Sequence, residues 1–388
     1  MAALPRRTIL GLCCAGMFSI ALVLAGPAIC QTAIARELGL NTAQSGLFLS
    51  CSFYGLALAV LLAGPLADRL GFRALLAAAG VFEAAGLMLL SRAGGLAGLC
   101  AGAMCLGFGA GIGDALFTPL VCVLYPHRRT QMTNLLHAFY PIGLIGIVLG
   151  MLGLLGAGWH WRSVYLLLAI LPAPWVLAAL VLPLPRHAHQ SSARLRVREL
   201  LGRGRFWVLL GAILAIGTAE IGASNWLPSY VEYVCGAASW AGGLGLMCFG
   251  LTMAIGRLGT SALAGRLGPR RLFLAGGALC SLSLLLAAMG AQSLGPVWTV
   301  GCLAVFGLGC AGFWPTILGC AGDAFPAAGA SMYSTLSAVG NFGGVLGPWI
   351  IGLIGQHAGL SWAMGLMAVG PAISAALMVW PGNAKTEN

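Results

Sequence analysis

Charge is what this sequence has least of. Its 388 residues include 20 Lys and Arg and 9 Asp and Glu, 7% in all, where an average soluble chain carries about 25%. A water-facing surface cannot be built from so little polar material, so the 60% of apolar residues must face lipid rather than one another's cores. The marks of an enzyme are missing too: there is no nucleophile elbow, phosphate-binding loop or metal-ligand set. The 13 cysteines lie mostly inside apolar runs, as at Cys105, Cys248, Cys302, Cys310 and Cys320, with no pair of CxxC motifs. They read as small packing residues, neither zinc ligands nor a disulfide framework, and no metal or cofactor is expected. The net charge of +11 does not indicate nucleic acid, because the Arg residues fall in short loops and form no basic face.

Glycine is abundant at 59 residues, which suits membrane helices that pack by close backbone approach. Apolar runs recur near Thr8 to Ile29, Gln44 to Ala63, Ala74 to Leu90, Leu96 to Leu124, Met132 to Ala157 and Ser163 to Leu182. They resume near Phe206 to Tyr230, Trp240 to Leu263, Leu272 to Ala291, Pro296 to Ala321, Gly329 to Ile354 and Ser361 to Val379. That gives twelve spans, most near the ~20 residues a helix needs to cross the hydrocarbon. The first run follows Arg6 and Arg7 and exceeds the core of a cleaved signal peptide, so it reads as a signal anchor.

With a cytoplasmic amino terminus, the outer loops hold only Arg36, Arg92 and Arg162. The other 17 basic residues fall on the inner side, counting Arg257 near the inner end of its helix. The positive-inside rule then puts both termini in the cytoplasm of a plasma membrane, the inner membrane in a Gram-negative cell. The polar stretch from Arg186 to Arg205 separates spans six and seven. The expected organisation is a six-helix half at 1–184, a cytoplasmic linker at 185–205 and a second half at 206–388.

The halves repeat. Leu66-Ala67-Asp68-Arg69-Leu70-Gly71-Phe72-Arg73 recurs 197 residues later as Leu263-Ala264-Gly265-Arg266-Leu267-Gly268-Pro269-Arg270, with six of eight positions identical. Gly143, Gly146 and Gly150 fall on Gly340, Gly343 and Gly347 at the same spacing, and Phe117-Thr118-Pro119 aligns with Phe313-Trp314-Pro315 one residue off it. Two such halves can rock about a midplane site and expose it alternately to each side.

Gly64-Pro65-Leu66-Ala67-Asp68-Arg69-Leu70-Gly71-Phe72-Arg73, joining spans two and three, resembles the signature loop of the major facilitator superfamily. Ala219-Glu220-Ile221-Gly222 and Asn225-Trp226-Leu227-Pro228-Ser229-Tyr230 in span seven are similar to the sugar-permease branch that includes fucose permease. So are Gly111-Ile112-Gly113-Asp114-Ala115 in span four and Asn134-Leu135-Leu136-His137-Ala138-Phe139 in span five. The resemblance implies an all-α, twelve-helix carrier of two pseudo-symmetric halves, working as a monomer in the bilayer and not as an enzyme. It also implies that spans four and seven line a central cavity.

Three acids lie inside spans, Glu83, Asp114 and Glu220, and each is costly at mid-bilayer, by around 3 kcal/mol or more when charged. On cavity-lining spans, Asp114 and Glu220 are candidates for carrying a coupled proton, with His137 as a relay or substrate contact. Each has a structural alternative: a permanent hydrogen bond for Asp114, a substrate hydroxyl or a braced helix for Glu220, a helix contact for His137. Glu83, on a span that is usually peripheral, reads as packing. Tyr54, Asn134, Tyr140, Asn225, Trp226, Trp314, Tyr333 and Asn341 offer the aromatic faces and polar tips that suit a hydroxylated substrate, although Trp and Tyr also anchor spans at the interface. Asp68, Arg69, Arg73 and, in the degenerate copy, Arg266 are expected to form an inner gate, or else a static loop staple. The expected function is proton-coupled uptake of a small neutral polar solute such as a sugar, since no buried Arg pair is present to clamp a phosphate or dicarboxylate. Efflux of an amphipathic or lipid-like compound is the alternative.

Overall fold

The computed structural model describes residues 5–125, 129–185, 197–328 and 330–379. Among them the apolar runs fold as helices and no strand is present. Eleven helices are long and apolar enough to cross a membrane: Arg6–Leu38, Thr42–Ala63, Arg69–Arg92, Leu96–Leu124, Leu135–Gly156, Trp161–Val181, Gly204–Cys235, Ser239–Thr260, Gly268–Ala324, Met332–Ala358 and Leu360–Val379. Gly268–Ala324 turns at Gly295, where φ is 76° and Pro296 follows, so it covers two crossings, spans nine (269–294) and ten (296–324). The chain therefore crosses twelve times. Large apolar side chains such as Val297, Met289 and Leu258 stand well exposed, as they must where the solvent is lipid.

Several helices outrun their apolar stretches. The first continues past Ile29 to Leu38 because Gln31 and Thr32 are buried against protein rather than presented to lipid. It also bends. At Ala21 the backbone N–H donates to the Phe18 carbonyl at 3.3 Å, a tighter 3₁₀ spacing that separates helix Arg6–Ile20 from Leu22–Leu38.

The repeated loops share a backbone as well as a sequence. Gly71 and Gly268, at equivalent positions, take φ of 76° and 70°, a region a side chain would strain. The chain divides into two compact units, Met1–Leu40 with Cys51–Gln190, and Asn41–Ser50 with Ser191–Asn388. The opening nine residues of span two, Thr42 to Ser50, thus pack within the C-terminal unit. There the Thr42 N–H donates to Gln356 Oε1 at 3.0 Å, and a Cβ on Gly46 would stand 2.5 Å from the Pro348 carbonyl oxygen.

Each unit is closed by glycine seams. In the N-terminal unit a Cβ on Gly143 of span five would meet the Phe18 carbonyl oxygen of span one at 2.4 Å, and one on Gly111 of span four would meet that of Leu56 of span two at 2.4 Å. In the C-terminal unit Gly217 of span seven bears in the same way on the Gly340 carbonyl of span eleven, and Gly256 of span eight on that of Leu308 of span ten. Without hydrophobic driving force between helices in lipid, such backbone contact is what holds the bundle.

The N-terminal unit also carries a polar staple at one end. Glu37 accepts from Trp161 Nε1 at 2.6 Å, pairs with Arg162 at 3.2 Å and lies 3.0 Å from His160 Nε2. Arg162 stacks over Trp161 at 4.1 Å and donates to the Ala93 carbonyl at 2.8 Å, tying the ends of spans one, three and six. Residues 186–196, most of the expected linker, lie outside the described residues, and a short helix, Val197–Leu201, precedes span seven.

Candidate functional site

Span four places the first candidate group. Its glycines at 107 and 111 bring one face hard against span two, and Asp114 stands half-buried nearby. Among the described residues the Asp114 carboxylate has no hydrogen-bond or ion-pair partner. One turn further on, Thr118 Oγ1 lies 3.1 Å from His137 Nε2 of span five, and the imidazole tautomer decides which of the two donates. Tyr140, half-buried, follows His137 by three residues and so lies on the same helical face. Asp114, Thr118, His137 and Tyr140 therefore form one polar stripe across spans four and five. Thr118 went unnoticed in the sequence, although its i+4 spacing from Asp114 was there to read.

Span seven places the second group. The charge of Arg257 on span eight acts on Glu220, and the thiols of Cys280 on span nine and Cys310 on span ten are within electrostatic reach of the same carboxyl. Arg257 lies three residues before the end of the apolar span Ser239–Thr260. Its helix continues to Gly268, eleven residues on, about 16 Å along the axis. Its Nε is buried without a hydrogen-bond partner among the described residues. Glu220 thus has a basic neighbour that Asp114 lacks.

The aromatic and amide candidates divide. Trp226 is buried and spends its indole N–H on the Pro348 carbonyl at 2.9 Å, while Asn225, fully buried, donates to Ile221 O at 2.9 Å and keeps Oδ1 unpaired. Trp226 is thereby tied to span eleven, while Asn225 keeps one acceptor open. Trp314 and Asn341 come together, both half-buried, because the Trp314 ring packs over Gly340. Tyr54 and Tyr333 are more exposed, at 48% and 40%, and the Tyr333 hydroxyl rests beside Gly322.

Of the expected gate, Arg73 donates to the Leu182 carbonyl at 2.8 Å, a staple from span three to the end of span six within one unit, and Arg69 is exposed. The side chains of Asp68 and Arg266, and that of Asn134 among the substrate candidates, lie outside the described residues. Among the described residues no three His, Cys, Asp or Glu converge as a metal-holding group.

A twelve-span bundle of two like units, with titratable groups inside the spans, defines a membrane carrier. The sequence model of the Major Facilitator Superfamily matches residues 9–328 and 236–387. The chain belongs to that superfamily, whose members are carriers and not enzymes. It is 26% identical over 340 residues to an uncharacterised MFS-type transporter of Yersinia pestis, covering 86% of this chain and 85% of that one. Its fold is similar to a bacterial homologue of the human lysosomal transporter Spinster in an inward-facing, occupied conformation (TM-score 0.80, 15% identity, 100% of both chains). It is also similar to a D-xylose–proton symporter (TM-score 0.76, 14% identity, 97% of both chains).

Proposed function

We propose that this chain takes up a small neutral polar solute, such as a sugar, in company with a proton, and that Asp114 carries the proton. The observation that bears the reading is Asp114 itself, an acid inside a span with no counter-charge among the described residues, one turn from a Thr118–His137 contact. An acid so placed is stable when neutral and costly when charged, so proton binding and release suit a site that meets each side of the membrane in turn. The span-seven and span-four motifs similar to fucose permease, and the xylose–proton symporter among the folds it resembles, support a hydroxylated solute. Trp314 and Asn341 supply a ring and an amide for one. Asp68 with Arg69 acts as the inner gate, Arg73 being held by the Leu182 carbonyl, and both termini lie in the cytoplasm.

The test is uptake of labelled neutral sugars by reconstituted protein with and without an inward proton gradient. Accumulation that follows the gradient is expected. Indifference to the gradient, or outward movement of an amphipathic probe instead, contradicts the reading. Orientation is tested by labelling Ser191→Cys on a cysteine-free background. Modification by an impermeant outside reagent in intact cells would overturn it.

A further inference from the structure

A second buried acid lies outside that stripe. Glu83, on span three, is fully buried, and neither of its carboxyl oxygens has a hydrogen-bond partner among the described residues. Span four presses on it from one side, since a Cβ on Gly109 would stand 2.6 Å from the Glu83 nitrogen and 3.0 Å from its Cγ. Span one presents the Ser19 hydroxyl, close enough to act on the carboxyl, and Ser19 sits in the 3₁₀ turn at which that helix bends.

Span six brings Trp175 against Gly80, one turn before Glu83 on the same face, and the Trp175 Nε1 hydrogen is also buried and unpaired. The remaining titratable neighbour is Cys105 on span four, whose thiol donates to the Phe82 carbonyl at 3.4 Å. No charged side chain among the described residues acts on Glu83.

Buried polar atoms without partners are rare in folded proteins and ask for a reason. A permanently charged carboxylate is excluded here by cost, yet both protonation states have company within reach. The neutral acid can donate to Ser19 Oγ, whose own hydrogen goes to the Gly16 carbonyl at 2.8 Å. The ionised acid would need a donor, and the one that acts on it is the Ser19 hydroxyl turned round. We propose that Glu83 is a second proton-binding site, in the packed interior of the N-terminal unit. It exchanges its proton as the span-one bend at Phe18–Ala21 moves against it. A mid-helix 3₁₀ turn is a usual place for such a hinge.

The test is reaction of the purified, full-length protein with an apolar carbodiimide, which adds to protonated buried carboxyls, with the modified acid located by peptide mass mapping. Glu83 is expected to be modified, and the extent should fall roughly tenfold per pH unit once the acid ionises. Ser19→Ala, which removes the one hydroxyl that acts on the carboxyl, should move the pH at which modification is lost. Glu83→Gln, the neutral mimic, should transport with a pH profile different from that of the unsubstituted chain.

A Glu83 that is unmodified at every pH, or modified equally at all, would overturn the proposal. So would an unchanged pH profile in Glu83→Gln. The inference stands apart from the coupling role of Asp114: modification of Glu83 can follow pH even if Asp114→Asn still couples, and the reverse outcome would sink this site alone.

Discussion

In the N-terminal unit span five meets span one through Gly143 and the Phe18 carbonyl; in the C-terminal unit span eleven meets span seven through the Gly340 carbonyl and Gly217. The backbone seams have been kept on both sides of the duplication, and the charges have not. Where span four carries Asp114, span ten carries Cys310 at the 196-residue spacing of the Phe-x-Pro match, and where span three carries Glu83, span nine carries Cys280. Both cysteines lie within electrostatic reach of Glu220, which comes from span seven instead. The C-terminal unit therefore has an acid in the corresponding neighbourhood but faces it with Arg257. The N-terminal unit leaves its two mid-span acids, Glu83 and Asp114, without a basic neighbour among the described residues. Helix packing tolerates little change at a glycine seam, whereas a carboxyl and a thiol can stand at corresponding positions without altering such a backbone contact.

That contrast can be broken most severely at Asp114. Asp114→Asn should abolish accumulation against a gradient while leaving exchange of labelled solute at equilibrium largely intact, because the amide imitates the protonated acid and cannot release a proton. Counterflow beside net uptake reads both. Loss of exchange together with accumulation would mean that Asp114 is a binding or structural group.

In the C-terminal unit the expected effect is on stability. Arg257→Leu should destabilise the unit, because it removes the one basic charge that acts on Glu220, and Arg257→Leu with Glu220→Gln should recover most of the loss. Thermal unfolding in detergent measures the difference, and a double variant no more stable than the single would show that the two charges are not balanced against each other. Smaller and symmetric are the seams. Gly143→Val and Gly217→Val, one in each unit, should each destabilise by about 1–3 kcal/mol, and a variant as stable as the unsubstituted chain would mean that its seam is not a close backbone contact. Smallest is the surface staple: Glu37→Gln should change stability by less than about 1 kcal/mol, since the pair is partly exposed.

How much of this was legible in the sequence depends on which signal carried it. The twelve crossings follow from run length, and the two-fold pattern from the loop at Leu66 to Arg73 and its copy. The break at Gly295 was marked by the Gly-Pro pair. The turn in span one was not, because Ser19-Ile20-Ala21-Leu22 is ordinary apolar helix in composition.

Arg257 was legible as a charge near the end of an apolar run, but its action on Glu220 was not. Its helix in fact continues through Leu263 and Arg266 to Gly268. Trp226 looked like a substrate platform because an indole reads alike as a ligand contact or as a donor to a neighbouring helix. The face it presents depends on how spans seven and eleven meet, and residues that are apolar all round carry no periodicity to show that.

The contrast between the units comes to one measurement, the movement of protons that accompanies solute entry into reconstituted vesicles, recorded as alkalinisation outside. It should be made on the unsubstituted chain, on Asp114→Asn and on the Glu220→Gln/Arg257→Gln double variant. With the coupled proton on Asp114 and Glu220 held by Arg257, the unsubstituted chain and the double variant should both alkalinise the medium, and Asp114→Asn should carry solute without doing so. Alkalinisation that survives in Asp114→Asn and disappears in the double variant would place the proton in the C-terminal unit and contradict the proposal.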